Sequence, residues 1–590
     1  MSKMRQSPLN VSRKLCLDIS TFLLQDCRYA SSTVQNIFEQ RSVAELAYIQ
    51  QPGQMPLENM TVGCLLERAA EQWPNRDFVI SLHQNVRLSF SEVLMRADRL
   101  AAGLIKIGLR RGDHIGIWSP NYYQWILSYM AGARAGLVIA GINPMFYESE
   151  FQFCVEKIGM KAIFAPASHR NKKYADIMLT VKKHCPFLEH IITFDDDHVT
   201  GTRRLRDIEE LANKREIEAI KKEQSAISMN SGVNIQFTSG TTGKSKAVVL
   251  SHRSLVNNAK QVSLRIDLNN RKICLNVPLF HAFGMVSGVT APMHTGSIIV
   301  LENFTFNPMT SVNTIIQEKC DVAYATPTMW INMIDVQNKL GLKIASLYNG
   351  LIGGAPVSPN LYKRIRKYLH LDKIQSIYGL TEATGIICQS YENEPTELTD
   401  TTVGHVSDHL EVKVVDKNDN IVPFGSSGEL CVRGYSTMIG YWNDEENTNK
   451  VLSEDKWLKT GDQFILYKNG YGCVIGRIKD MIIRGGENIF PVEIESFYES
   501  HPAICEVQVI GVYDEIYGEE ICAFIRLRAG AKLTNEDIIN YATGKIAHFK
   551  IPRYIQFRND FPKTASGKVQ KFKLKEEVEK QKLVPKKPEN

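Results

Sequence analysis

Between about residues 60 and 190 the apolar residues switch repeatedly between two periods, and that alternation constrains the fold more than any other feature. In "SEVLMRADRLAAGLIKIGL", Val93, Leu94, Ala97, Leu100, Ala101, Leu104 and Ile105 recur at helical spacing, and the following "RGDHIGIWS" reads as a turn and a short strand. "ESEFQFCVEKIG" and "KAIFAPAS" repeat the order helix, then strand. Short strands separated by helices build a parallel sheet covered on both faces. A second α/β run spans roughly 250 to 390, with "RKICLNVPLFH", "GSIIVLEN", "CDVAYATP" and "LYNGLIGGAPVS" as its strand-and-turn units. From 403 to 476 turns crowd together, as in "EVKVVDKNDNIVPFGSSGELCVRG", which predicts a small β-barrel or β-layer. After "GRIKD" the remaining chain shows helix, hairpin and helix signals and is long enough for a domain of its own. The expected class is α/β. A large N-terminal domain over 55–476 would hold two doubly wound α/β subdomains plus a small β-barrel, and a small α+β C-terminal domain would occupy 477–590. The charged segment within 195–230, "RRLRDIEELANKREIEAIKKE", is expected as a solvated surface helix.

Charge and cysteine usage remove several classes of function. The formal charge of +6 is concentrated at the ends. Residues 1 to 33 carry Lys3, Arg5, Arg13, Lys14 and Arg28 against Asp18 and Asp26, and residues 563 to 590 carry nine lysines against four glutamates. The stretch between is slightly acidic and holds no basic stripe, so nucleic acid is not an expected partner. The 12 cysteines form no C-x-x-C pair, which signals neither a zinc site nor a disulfide framework. The most apolar stretch, "WILSYMAGARAGLVIAGINPMF", is interrupted by Arg134 and reads as a buried helix, turn and strand rather than a transmembrane segment. Residues 1 to about 30 are rich in Ser, Thr and Arg and poor in acids, as in a mitochondrial transit peptide. The sequence is silent on oligomeric state.

The stretch "FTSGTTGKSK" (237 to 246) has the composition of a phosphate-gripping loop. It is not a Walker A loop, because the place of the first glycine is held by Thr238 and the flanks "VNIQF" and "AVVLS" both read as strands. A strand-loop-strand hairpin is expected. In it Gly240 and Gly243 would let backbone amides approach an anion, Ser239, Thr241 and Thr242 would donate hydroxyls, and Lys244 and Lys246 would add charge. The bland alternative is a flexible surface hairpin.

Five further stretches carry chemistry, each with a bland alternative of its own. "LIGGAPVSP" puts a Gly-Gly turn after an apolar strand. "SIYGLTEATG" sets Tyr378 and Glu382 at a strand end, where Glu382 could equally be a solvated turn residue. "LKTGDQF" predicts Asp462 in a tight turn, as a ribose ligand or a helix cap. "GRIKDMIIRGGENIFPVEIE" offers Arg477, Lys479 and the Gly485–Gly486 pair, and "PKTASGKVQK" offers Lys568, one of many tail lysines.

Taken together and in this order, the stretches resemble the acyl-adenylate-forming superfamily, which includes acyl-CoA synthetases, luciferases and peptide-synthetase adenylation domains. The resemblance runs from about residue 60 to 575. Within the superfamily the chain is similar to the mitochondrial medium-chain acyl-CoA ligases. That resemblance implies an ATP-dependent ligase joining a fatty acid to coenzyme A through an acyl-adenylate in the mitochondrial matrix, with a mobile C-terminal domain. An adenylating oxygenase of luciferase type and a nucleotide-binding scaffold without catalysis are the alternatives.

Carried over residue by residue, the resemblance has Thr238 to Lys246, Ser245 included, holding the phosphates of ATP, with Thr241 taking part in catalysis. Gly353, Gly354, Ala355 and Pro356 would surround adenine with Tyr378, while Asp462 and Arg477 would bind the ribose. Glu382 would hold Mg²⁺, Lys568 would contact the carboxylate and the α-phosphate, and Lys479 would be the hinge. Gly379, Gly485 and Gly486 would face substrate or coenzyme A. His281, in "PLFHAFGM", reads either as facing the acyl group or thiol or as a hydrogen-bonded core histidine. The one visible departure is Ser245, where the superfamily usually has proline. Without the proline ring φ is less restricted, which bears on ATP affinity.

Overall fold

The computed structural model describes residues 45–581 apart from 196, 239–244, 343, 486 and 565–566. The transit-peptide segment and the loop residues Ser239, Gly240, Thr241, Thr242, Gly243 and Lys244, with Gly486, lie outside the described residues.

Two large sheets pack beside one another. The first runs Gly440–Tyr441, Lys246–Ser251, Gly232–Thr238, Val138–Ile142, His114–Trp118, Ala162–Ala165, His190–Thr193 and Arg203–Arg204, parallel from Gly232–Thr238 onward. The second runs from His405–Val406 through Lys373–Tyr378, Asn349–Gly353, Val322–Ala325, Lys272–Leu275 and Ile298–Leu301 to Asp77–Ser81 and Val86–Ser89. It is parallel between Lys373–Tyr378 and Asp77–Ser81. The helical period of 90–106 becomes the Phe90–Lys106 helix, opened by a capping box between Ser89 and Glu92. Membership of the sheets departs from sequence order. The Asp77–Ser81/Val86–Ser89 hairpin joins the later sheet, and the Gly232–Thr238/Lys246–Ser251 hairpin joins the earlier one. Local periodicity names strands but not their neighbours.

The charged segment is two helices, not one solvated helix. Leu205–Glu210 and Lys214–Glu223 both pack on Phe90–Lys106 and bury Leu205, Ile208 and Ile220. Its apolar residues are few, but three on one face are enough to seat both helices. The interrupted apolar stretch is the expected helix and strand, Tyr123–Arg134 and Val138–Ile142. Arg134 is fully buried and bonds Asp98 at 2.6 Å and Glu67 at 2.9 Å. No helix among the described residues is long and apolar enough to cross a membrane.

Within 403–477, Leu410–Val415, Ser427–Gly434, Leu458–Leu466 and Gly472–Arg477 form with Tyr48–Gln50 a five-stranded antiparallel sheet, while His405–Val406 and Gly440–Tyr441 join the two large sheets. Of the two shapes expected there, the layer describes it: no pairing closes its end strands, Tyr48–Gln50 and Gly472–Arg477, into a ring among the described residues. Asp462 lies inside its long Leu458–Leu466 strand and is buried, so the expected tight turn is corrected. Gly461, at φ +71, supplied the turn-like signal without breaking the strand. Beyond it, Ile482–Arg484, Glu487–Ile489, Ile504–Asp514, Gly518–Leu527 and Tyr554–Phe557 make a separate sheet with its own apolar cluster around Ile494, Tyr498, Val507 and Ile525.

Candidate active site

The C-terminal ends of neighbouring parallel strands lie side by side, where loops are free to carry chemistry. Val322–Ala325 leads to Thr326, Asn349–Gly353 to Gly354, and Lys373–Tyr378 to Gly379 and Glu382. Gly354 has φ +84, which lets the chain turn sharply toward Ala355 and Pro356. A side chain at Gly379 would collide with the Gly385 carbonyl, so this turn closes only on a bare backbone.

The antiparallel β-layer brings Asp462 opposite Arg477. Arg477 Nε forms an ion pair with Asp462 Oδ1 at 2.8 Å, and Tyr378 Oη donates to Asp462 Oδ2 at 2.8 Å. Both carboxylate oxygens are thus engaged, and three sequence stretches meet at one buried acid. Burial raises the Tyr378 pKa and the Asp462 charge raises it further, so the phenol stays protonated. Burial alone would lower that of Arg477. The charge of Asp462, with Glu382 behind it, outweighs this and raises it.

Glu382 follows in a short 3-10 turn and accepts at 2.9 Å from Tyr441 Oη. Lys246 Nζ stands 4.8 Å from the Tyr441 ring centroid. The expected hairpin forms, with Lys246 opposite Thr238 and Ser245 immediately before the second strand. Tyr441 therefore joins the phosphate hairpin to Glu382. No short motif marked it; its signal is an antiparallel pairing of Gly440–Tyr441 with Val248 and Val249 across almost 200 residues.

Lys568 enters from the small sheet's domain. Its loop is closed by Thr564 N–H donating to the Lys568 carbonyl at 2.8 Å. A Cβ at Gly567 would stand 2.9 Å from Thr326 Oγ1, so glycine allows the loop to lie directly against the large domain. Solvent still reaches Lys568, but protein surrounds it: burial and the Arg477 charge lower its pKa, while Asp462 opposes the shift. His281 belongs to the same neighbourhood. Burial, then the Lys568 charge, pushes its pKa down to about 4, and its Nδ1 accepts from Phe283 N–H at 3.2 Å. The ring is neutral, with the proton on Nε2. Immediately after it, Phe283–Thr290 is a π-helix, a form concentrated at functional sites.

The structure does not bring every candidate together. Lys479 lies in the Ile478–Asp480 turn between the β-layer and the small domain, beside Lys568. Gly485 is remote in contact: its N–H donates to the Tyr517 carbonyl within the small domain. Among the described residues no three His, Cys, Asp or Glu side chains converge on a metal. Glu382 could offer one hard carboxylate oxygen to a divalent cation such as Mg²⁺.

Comparison with known proteins accords with this geometry. The AMP-binding enzyme family matches residues 66–442, and the AMP-binding enzyme C-terminal domain matches residues 493–568. The chain is 38% identical to the mitochondrial medium-chain acyl-CoA ligase ACSF2 of Danio rerio over 554 residues, 91% of each chain. It is 36% identical to the Mus musculus protein of the same name over 578 residues, 94% of each. The anthranilate CoA ligase AuaEII, solved with anthranoyl-AMP, superposes with a TM-score of 0.80 at 23% identity, covering 90% of this chain and 99% of its own. With both of the family's parts present in one chain and converging on one cleft, the protein belongs to the AMP-binding enzymes.

Proposed function

We propose that the protein is an ATP-dependent ligase that joins a medium-chain fatty acid to coenzyme A in the mitochondrial matrix. The observation that carries the reading is the convergence of Tyr378, Asp462, Arg477 and Lys568, from two domains, on one cleft flanked by the phosphate hairpin. Medium chain length and mitochondrial location rest on the names of the relatives, and the basic first 30 residues support the latter. The domain limits are 55–476 and 477–590.

A fatty carboxylate and ATP repel one another, so their reaction needs concentrated positive charge. Residues 238–246 hold the phosphates, with Thr241 assisting in catalysis. Gly353 to Pro356 and Tyr378 enclose the base, and Asp462 accepts the ribose hydroxyls beside Arg477. Glu382 holds Mg²⁺, which neutralises phosphate charge when bound. Lys568 lies between carboxylate and α-phosphate. A carboxylate oxygen bonds the α-phosphorus as the bond to pyrophosphate breaks, giving acyl-AMP. The thiol sulfur of coenzyme A then bonds the acyl carbon, its proton passes to solvent, and AMP leaves. Neutral His281 lines the acyl or thiol side with Gly379. Gly485 and Gly486 reach the coenzyme only after the small domain turns about Lys479.

Pyrophosphate exchange across straight-chain acids of increasing length, with mitochondrial and cytosolic fractions of cells expressing the full chain, tests the reading. A maximum at medium length in the mitochondrial fraction is expected, shifting to the cytosol when residues 1–30 are removed. Exchange with no fatty acid, or mitochondrial recovery of the truncated chain, counts against it.

A further inference from the structure

Besides Lys568, a second contact between the domains is as specific and has no part in binding substrate. The large-domain helix Pro359–Leu369 begins at Ser358, whose hydroxyl makes no capping bond to its own helix. That hydroxyl instead faces the carboxyl of Glu499, the last residue of the small-domain helix Pro491–Glu499. Asn360 Nδ2, from the first turn of the same large-domain helix, donates to the Glu499 carbonyl at 3.1 Å. Within the small domain Glu499 Oε1 accepts from Val507 N–H at 3.3 Å, which fixes the carboxyl in place. A few residues on, Cys505 is buried in the core of the large domain. These contacts are made in the same orientation that sets Lys568 beside Asp462.

We propose that Glu499 is the positioning residue that latches the small domain onto Ser358 and Asn360 for the carboxylate-activating half-reaction. The inference rests on the proposed two-step ligase reading and names the contact that holds its first orientation.

The charges around the latch give it a pH dependence. On its own helix stands Glu495, paired with Lys571 at 2.6 Å, and on the adjacent strand Glu506, paired with Arg526 at 2.9 Å and Lys563 at 3.2 Å. From the large-domain helix comes Arg364, 3.8 Å from Asp335. Burial first, then Glu495 and Glu506, pushes the Glu499 carboxyl up to about 8. Undocking opens the carboxyl to water while Glu495, Glu506 and Val507 stay beside it, so the docked form holds its proton the more tightly. Protonation therefore favours docking, which weakens as pH rises toward about 8 and is flat above. Glutamine reproduces the protonated acid, accepting from Val507 and donating to Ser358.

Three variants, Glu499→Ala, Glu499→Gln and Ser358→Ala, are assayed in both half-reactions. In Glu499→Ala, pyrophosphate exchange should fall about tenfold, while thioester formation from supplied acyl-AMP holds or rises. Glu499→Gln should keep exchange within about twofold and lose its slope with pH, and Ser358→Ala added to Glu499→Ala should cost nothing further. Equal loss in both half-reactions, or a Gln variant as impaired as Ala, overturns the proposal. Electron-spin distances between labels at the exposed Lys367 and Ile516 read orientation without catalysis. If no acid supports exchange in the wild type, the ligase reading fails. The latch then stands or falls on whether Glu499→Ala broadens that distance.

Discussion

At the scale of single residues, Lys568 separates most sharply from its neighbours. The tail lysines near it are not all alike. Lys571 pairs with buried Glu495, so removing it leaves that acid without its cation and Lys571 is no neutral control, whereas Glu506 keeps Arg526 when Lys563 is removed. Lys573, beside the Phe572 ring on the helix Lys571–Lys580, is the better one. Lys568→Ala should slow pyrophosphate exchange by about 10² or more and spare thioester formation from acyl-AMP, whereas Lys573→Ala should leave both unchanged. Because burial and Arg477 lower the Lys568 pKa, the alkaline limb of kcat/KM for adenylation should fall below the usual lysine range. Activity is present below that pKa and lost above it, and Lys568→Arg should move the limb upward. A limb unmoved by that change assigns it elsewhere.

At the scale of elements, the Tyr123–Arg134 helix shows what an interrupting charge does in an apolar run. Arg134 does not break the helix; it ends it inside the protein. Its guanidinium meets Asp98 of the Phe90–Lys106 helix and Glu67 of the Val62–Gln72 helix, and Gln224 donates to its carbonyl. Burial raises the Asp98 pKa, and Arg134 opposes that shift. Arg134→Ala leaves that acid buried without its cation, so a loss of about 3–5 kcal/mol in denaturant unfolding is expected. A loss within the range of surface substitutions contradicts this reading of the helix junction. The phosphate hairpin is the opposite case. Its two strands were legible from "VNIQF" and "AVVLS" alone, because short apolar runs and a glycine-rich turn between them are local signals.

At the scale of the whole molecule, the proposed two-step reaction needs one domain to visit two orientations. Lys479 lies in the short turn between them, and Lys479→Pro restricts φ there. Thioester formation should slow by about tenfold or more while pyrophosphate exchange persists, and equal loss in both steps speaks against a hinge. The sequence by itself determined the α/β class, the order of the chemical stretches and the separate C-terminal unit. All of these rest on periodicity and composition, which act over a few residues. Only the tertiary structure decided which strand lies in which sheet, that Asp462 sits in a strand rather than a turn, and that Tyr441 bridges Lys246 to Glu382. The same holds for Glu499, a helix-terminal glutamate with no local signature, whose importance comes from Ser358 more than a hundred residues away. Contacts between distant segments are set by sheet pairing and domain docking, and no short stretch of sequence encodes its partner's position.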